Sequence, residues 1–189
     1  MKISTINTIE LSSLCDNDCA YCPAQEQRQH RDVGFMSFEV FKVAIGWVKH
    51  FCNQGTQLEL NLFGVGEPLL NPHVVDFVKY ARQQLPFKQN LHLNTNGNRM
   101  TPEMAQALKG AGITAIDITA HNARAAAKTI RLFQQAGIHG RISLDFITAP
   151  NNWAGQVDWF APDYHKTPAP ENICPWLSRG QIMVMSNGD

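Results

Sequence analysis

The fold predicted for this chain is α/β, a partial, open parallel β/α barrel of about five to six units. Three observations predict it. Short apolar runs alternate with helical periodicity from residue 8 to residue 147, an order that implies a parallel sheet. Two joints are nearly identical, Ala111-Gly112-Ile113-Thr114 and Ala136-Gly137-Ile138-His139; in each, glycine ends a helix and a strand starts within a few residues. The chain has 189 residues, whereas a complete eight-unit barrel takes about 250.

The elements follow in order. Thr8–Leu14 reads as a first strand, and Ser37 caps a helix with Phe41, Ala44, Ile45, Val48 and Phe51 on its inner face. Leu58–Phe63 is a second strand. Asn71–Leu85 is a helix, with Asn71 as its cap, Pro72 in its first turn, and Val74, Phe77, Val78, Ala81 and Leu85 along one face. Leu91–Thr95 is a third strand, and Thr101-Pro102 opens a helix that ends near Gly110 or Gly112. Ala115–Thr119, a helix capped by Asn122 and ending at Gly137, and a strand at Arg141–Ile147 complete the series. The pattern breaks after Pro150, and Gln181–Met185 is a last strand candidate before the turn-like Ser186-Asn187-Gly188-Asp189. The expected division is residues 1–150 as barrel core and 151–189 as an irregular extension with a short strand.

Composition excludes several classes. Hydrophobic residues make up 44% and charged residues 17%, the balance of a globular chain with a real core. Sixteen basic residues cancel sixteen acidic ones, so bulk charge gives no support for nucleic-acid or membrane-surface binding. Arg28, His30 and Arg31 are the nearest thing to a basic patch and read as a solvated loop. No run of eighteen apolar residues is present, so no membrane span is expected. Met1–Leu11 lacks the apolar block of a signal peptide, and a cytoplasmic location is expected. Thiols stay reduced there.

Five cysteines are present, three of them within eight residues: Cys15, Cys19 and Cys22. An odd count in a reducing compartment argues for metal or redox chemistry over disulfides. The trio follows the first predicted strand, where functional loops of a parallel barrel lie. A tight loop at this spacing turns three thiolates toward one iron–sulfur cube. A cube ligated wholly by protein takes four, so three leave one iron open. The competing reading of the cysteines alone is zinc, with His30 or another cysteine as fourth ligand.

The segment Cys15-Asp-Asn-Asp-Cys19-Ala-Tyr21-Cys22 resembles the CxxxCxxC signature of the radical SAM superfamily, whose aromatic residue precedes the third cysteine. Later segments agree in order. Phe63-Gly64-Val65-Gly66-Glu67-Pro68 resembles that family's Gly-Gly-Glu-Pro motif, and Asn94-Thr95-Asn96-Gly97 resembles its Thr-Asn-Gly strand end. Thr119-Ala120-His121 stands where the family has Ser-x-Asp, and His121 departs from that pattern. Ser143 and Asp145 alternate with Ile142, Leu144 and Phe146, which gives that strand one polar face, for the barrel mouth or for structural salt bridges. Arg124 and Arg131 lie where the family often binds a carboxylate, or are simply exposed helical arginines.

The resemblance covers residues from about 8 to 147 and implies a barrel of the radical SAM type with a definite chemistry. Cys15, Cys19 and Cys22 are the implied ligands of a [4Fe–4S] cluster whose open iron chelates S-adenosylmethionine (SAM). Gly64, Gly66, Glu67 and Pro68 are the implied holders of the methionine end; Tyr21, Asn96 and Thr119 surround adenosine, and Ser143 lines the mouth. The implied reaction is reductive cleavage of SAM to a 5′-deoxyadenosyl radical that abstracts hydrogen. Electrons are expected from a donor such as flavodoxin or ferredoxin. Cys174-Pro175-Trp176 and Asn187-Gly188-Asp189 resemble the opening of a SPASM or twitch extension, and Asn152-Trp153-Ala154-Gly155 is similar to such proteins. Cys52 falls in a predicted helix, and one cysteine holds no second cube; Cys174 then packs as a small apolar residue or marks a shortened extension. The tail favours a peptide or protein side chain as substrate, ahead of a small metabolite and of a glycyl-radical partner. A non-catalytic cluster or zinc protein that only binds a partner is the alternative outside enzymology.

Overall fold

Alternation within the strands sets the architecture. In Leu91-His92-Leu93-Asn94-Thr95 and Ala115-Ile116-Asp117-Ile118-Thr119, apolar and polar residues take opposite faces of the sheet. The computed structural model describes residues 5–19, 22, 24–53, 59–119, 123–143 and 181–189. Its strands are β1 (Thr5–Ile9), β2 (Leu60–Asn61), β3 (Leu91–Thr95), β4 (Ala115–Thr119), β5 (His139–Ser143) and β6 (Gln181–Val184). Its helices are α1 (Ala24–His30), α2 (Phe38–Asn53), α3 (Val74–Gln84), α4 (Pro102–Ala111) and α5 (Ala123–Ala136).

The six strands form one sheet in the order β5-β4-β3-β2-β1-β6, and every pairing is parallel. This is the open, partial β/α barrel that the sequence predicts. Leu60, Leu62, Leu91, Leu93, Ile116 and Ile118 are fully buried and join one apolar cluster with residues of α2 to α5. Consecutive helices touch one another, α2 on α3, α3 on α4 and α4 on α5, as right-handed crossovers require. The other face is polar. There Asn61, His92, Asp117 and Arg141 form a row across β2 to β5. His92 Nδ1 lies 3.0 Å from Asn61 Oδ1, His92 Nε2 lies 3.2 Å from Asp117 Oδ2, and Arg141 Nε donates to Asp117 at 2.7 Å.

Several predicted caps form. Ser37 Oγ accepts from Val40 N–H at 3.2 Å, and Thr101 Oγ1 accepts from Met104 N–H at 3.1 Å. Gly112 closes α4 at φ 95, in the left-handed region. The Asn122 cap lies outside the described residues.

Four boundaries differ from expectation. The first strand is Thr5–Ile9 and not Thr8–Leu14, because residues 11–13 leave the sheet. They pair with 34–36 through Met36 N–H to Leu11 O and Ser13 N–H to Gly34 O, both 3.0 Å. The second strand is Leu60–Asn61, since Phe63 and Gly64 turn into a loop; its predicted first residue, Leu58, lies outside the described residues. The fifth begins at His139, where register with Ala115 on β4 recruits it earlier; its predicted end, 144–147, lies outside the described residues. Helix α3 starts at Val74, because Asn71 Oδ1 accepts from His73 N–H at 3.0 Å and so closes a turn that precedes the helix. The Asn71 side chain is buried and donates to Leu11 O at 2.8 Å, while Pro68–Leu70 make a 3₁₀ turn ahead of the helix. The strand expected near the end of the sequence is β6, and it lies parallel against β1.

Aromatic packing anchors the α2–α3 layer. Phe77 is fully buried and stacks on Phe41 with centroids 4.5 Å apart and on Phe38 at 5.3 Å. Truncation leaves a cavity that rigid neighbours fill poorly. Phe77→Ala is expected to lower unfolding free energy of the cofactor-free chain by about 3–5 kcal/mol, read as a lower urea midpoint.

Candidate functional site

The C-terminal ends of β1 to β4 lie on one edge of the sheet, where parallel α/β proteins place their chemistry. One pocket gathers them. Its lining joins the three cysteines to Gly64, Gly66 and Glu67, to Asn94 and Asn96, and to Thr119. Sequence segments as remote as Cys15 and Thr119 thus meet in one hollow, among them most of the residues that the motifs single out.

Backbone contact holds the second loop against the first. Glu67 N–H donates to Leu14 O at 2.7 Å. A β-carbon on Gly66 would run into the carbonyl oxygens of Ser12 and Leu14, so only glycine permits this approach. Cys22 Sγ lies 3.8 Å from Val65 O. Gly64 packs its bare α-carbon on the side chain of Glu10.

Glu67 is buried and its carboxylate is surrounded by donors. Oε1 accepts from Thr95 Oγ1–H at 2.7 Å and from Leu69 N–H at 3.0 Å; Oε2 accepts from Asn96 N–H at 2.7 Å. It therefore ties the loops of β2 and β3 together. Burial outweighs these hydrogen bonds and pushes its carboxyl from 4.5 up to about 7. A cation entering the pocket would restore the charge. Thr119 Oγ1 donates to Asn94 Oδ1 at 3.1 Å.

The remaining expectations fall as follows. Pro68 opens the 3₁₀ turn that Glu67 caps. Ser143 ends β5 in register with Thr119. Tyr21, His121, Asp145 and Cys174 lie outside the described residues. Arg131 is exposed on α5. His30, the imagined fourth zinc ligand, lines a different hollow with Asp32, Asn187 and Asp189. Cys52 hydrogen-bonds Gln89 at 3.3 Å, away from the other thiols.

Sequence reasoning missed Glu10. Its side chain is fully buried just past β1 and meets Arg31 in two bonds, 2.6 Å and 2.9 Å. It also accepts from Val65 N–H at 3.1 Å and from Ser186 N–H at 3.2 Å. The available signal was a lone acid inside an apolar-alternating segment, Ile9-Glu10-Leu11. Asp16 and Arg99 were missed as well, because their partners are remote in sequence.

A family model described as the Radical SAM superfamily matches residues 9–125, more than half of the chain. The chain belongs to the radical SAM superfamily. Among curated relatives, a GTP 3′,8-cyclase of Nostoc sp. is 50% identical over 54 residues, 29% of this chain and 16% of that protein. An AdoMet-dependent heme synthase of Methanosarcina barkeri is 25% identical over 118 residues, 61% of this chain and 31% of that protein. The chain thus matches under a third of the length of these relatives. Among solved structures, BtrN in complex with AdoMet and 2-DOIA superposes with TM-score 0.70 at 20% identity, over 98% of this chain and 72% of that one. Methylornithine synthase (PylB) gives 0.50 at 14% identity, over 75% and 44%. These structural likenesses show the fold.

Radical SAM membership implies a [4Fe–4S] cluster and SAM, and the donor set fits the cluster. Cys15, Cys19 and Cys22 are half-buried thiols, none of them in a disulfide, around one pocket. Among the described residues, no three of His, Cys, Asp and Glu group as ligands of a single ion. A four-iron cube takes each thiolate on its own iron, so it asks for thiols spread around a hollow. Burial pushes the Cys15 and Cys22 thiols up; a bound metal reverses that by holding thiolates outright. Among the described residues no helix is long and apolar enough to cross a membrane.

Two outcomes test this geometry. Gly66→Ala is expected to cost about 3 kcal/mol, because its new methyl meets backbone and not a flexible side-chain end; thermal melting reads the loss. Glu67 gives a pH signature. Between its ordinary 4.5 and about 7, the folded chain keeps a proton that the unfolded chain has released. Stability therefore falls as pH rises through that window and levels off above it. Urea midpoints of wild type and Glu67→Gln at about pH 5 and about pH 8 are expected to show this fall in wild type only.

Proposed function

We propose that this chain cleaves S-adenosylmethionine reductively to methionine and a 5′-deoxyadenosyl radical, which takes a hydrogen atom from a substrate. One observation carries the reading. The three thiols of the superfamily signature share a pocket with Gly64, Gly66, Glu67, Asn96 and Thr119, the remote motifs that the resemblance assigns to SAM.

Cys15, Cys19 and Cys22 hold the cluster. When bound, that cluster supplies the electron that breaks the S–C5′ bond. The chain's own residues bind and orient. Glu67, desolvated by burial, favours an ammonium at the pocket, and the Gly66 backbone gives it close approach. Gly64 and Pro68 shape the same loop; Tyr21, Asn96, Thr119 and Ser143 line the adenosine side. Walls of packed strands and loops keep water from the reacting atoms. A flavodoxin or ferredoxin is the electron source.

The substrate is a peptide or protein side chain, a reading supported by the tail Cys174-Pro175-Trp176 and Asn187-Gly188-Asp189. A small-molecule substrate is the second reading, favoured by relatives named GTP 3′,8-cyclase and heme synthase.

Anaerobic reconstitution with iron and sulfide, followed by dithionite and SAM, tests the proposal. The expected results are a brown protein, 5′-deoxyadenosine release, and loss of both in Cys19→Ala. A wild-type protein that carries a full cluster yet releases no deoxyadenosine overturns the enzyme reading and leaves a cluster protein that binds a partner. A colourless, zinc-loaded protein overturns the cluster itself.

A further inference from the structure

Of the three residues between the first and second thiol, Asp16 and Asn17 are held from outside. The turn after β3 grips both. Asn96 Nδ2 donates to Asp16 Oδ1 at 2.8 Å, and Arg99 Nε donates to Asp16 Oδ2 at 2.9 Å. Asn98 Nδ2 donates to Asn17 Oδ1 at 2.9 Å. Asn96 Nδ2 also lies 3.9 Å from Cys15 Sγ, and Asn17 N–H points back to Cys15 Sγ at 3.4 Å.

The gripping turn is itself fixed. Asn96 Oδ1 accepts from Asn98 N–H at 2.9 Å, and Thr95 Oγ1 accepts from Gly97 N–H at 3.0 Å. Asn96 N–H and the Thr95 hydroxyl then reach the buried Glu67 carboxylate. An unbroken hydrogen-bonded path thus runs from Glu67, at the core of the second loop, to the backbone beside Cys15. Both polar ends of the Asn96 side chain are used along it.

We propose that Asn96 and Arg99 are positioning residues: through Asp16 they set where the Cys15 thiol stands, and Arg99 balances the Asp16 charge beside the three thiols. The proposal rests on the reading that those thiols hold the cluster. It assigns Asn96 to the cysteine loop in addition to any contact with adenosine. Outer-shell partners of this kind orient the groups that touch metal and tune how tightly it is held. A simple surface ion pair is the competing account. The Arg99 side chain is 56% exposed and that of Asp16 19%, and exposed pairs add little to stability. Removing this one therefore leaves the fold standing, and the two accounts part on cluster retention.

The experiment compares reconstituted wild type with Arg99→Ala, Asp16→Asn and Asn96→Ala under anaerobic conditions. An iron chelator is added and the decay of cluster absorbance is timed; melting of the metal-free proteins is recorded alongside. Each variant is expected to lose its cluster about 10-fold faster than wild type, with metal-free melting unchanged. The double variant Asp16→Asn with Arg99→Ala is expected to lose it no faster than either single one, since both remove the same contact. Arg99→Lys keeps the charge but not the planar geometry, and recovers part of the lifetime. Lys42→Ala, which breaks the exposed pair with Glu39 on α2, serves as control and is expected to match wild type. Variants that hold their cluster as long as wild type overturn the proposal. So does a matching drop in metal-free melting, which marks the pair as structural. If wild type takes up no cluster, the failure belongs to the cluster reading and not to the clamp alone.

Discussion

A buried carboxylate organises this molecule. Glu10 sits at the end of β1 with no exposure, and a charge there is costly unless fully partnered. Its partners come from three other places: the Arg31 guanidinium after α1, the Val65 N–H after β2, and the Ser186 N–H after β6. The cost of an unpaired buried charge therefore forces four segments to one point. Everything between Glu10 and Arg31, the cysteine loop included, is closed into a short circuit whose base is the pairing of residues 11–13 with 34–36.

Onto that closed circuit the other loops dock by close backbone approach. Gly66 brings Glu67 N–H to Leu14 O, and Asn71 brings its amide to Leu11 O. The turn after β3 reaches Asp16 and Asn17. The cysteine loop is thus held by hydrogen bonds to the remote loops that follow β2 and β3. Such a frame suits a cofactor that binds without the loop having to fold around it, since ordering costs are met by the protein core.

The sheet separates the two tasks. Its apolar face carries stability through leucines and isoleucines packed under α2 to α5. Its polar face carries the row Asn61, His92, Asp117 and Arg141, which leads toward Asn94 and Thr119 at the pocket. Alternation at period two assigns the faces, so a substitution on one face leaves the other largely untouched.

Much of this was legible from residues alone, where the governing physics is local. Strands β3 and β4 match to the residue because each is an alternating apolar pattern that begins just after a turn. The caps at Ser37, Thr101 and Gly112 were legible because a cap satisfies its own helix. Cysteine spacing and two remote motifs named the pocket before any coordinates did. What sequence left open depends on partners far along the chain. Asn71 reads as a helix cap; its oxygen does serve the local backbone at His73, but the fold also directs its amide to the remote Leu11 carbonyl. Glu10 offered only a lone acid in an apolar segment and Arg31 read as solvated, while Asp16 and Arg99 gave no sign, since a charge becomes structural only when a fold buries it beside its complement. The sequence by itself determined the order of the strands, the helices α2 to α5 and the superfamily to which the chain belongs. Only the tertiary structure decided which side chains hold that site in place, because long-range hydrogen bonds and charge burial exist only once the loops have met.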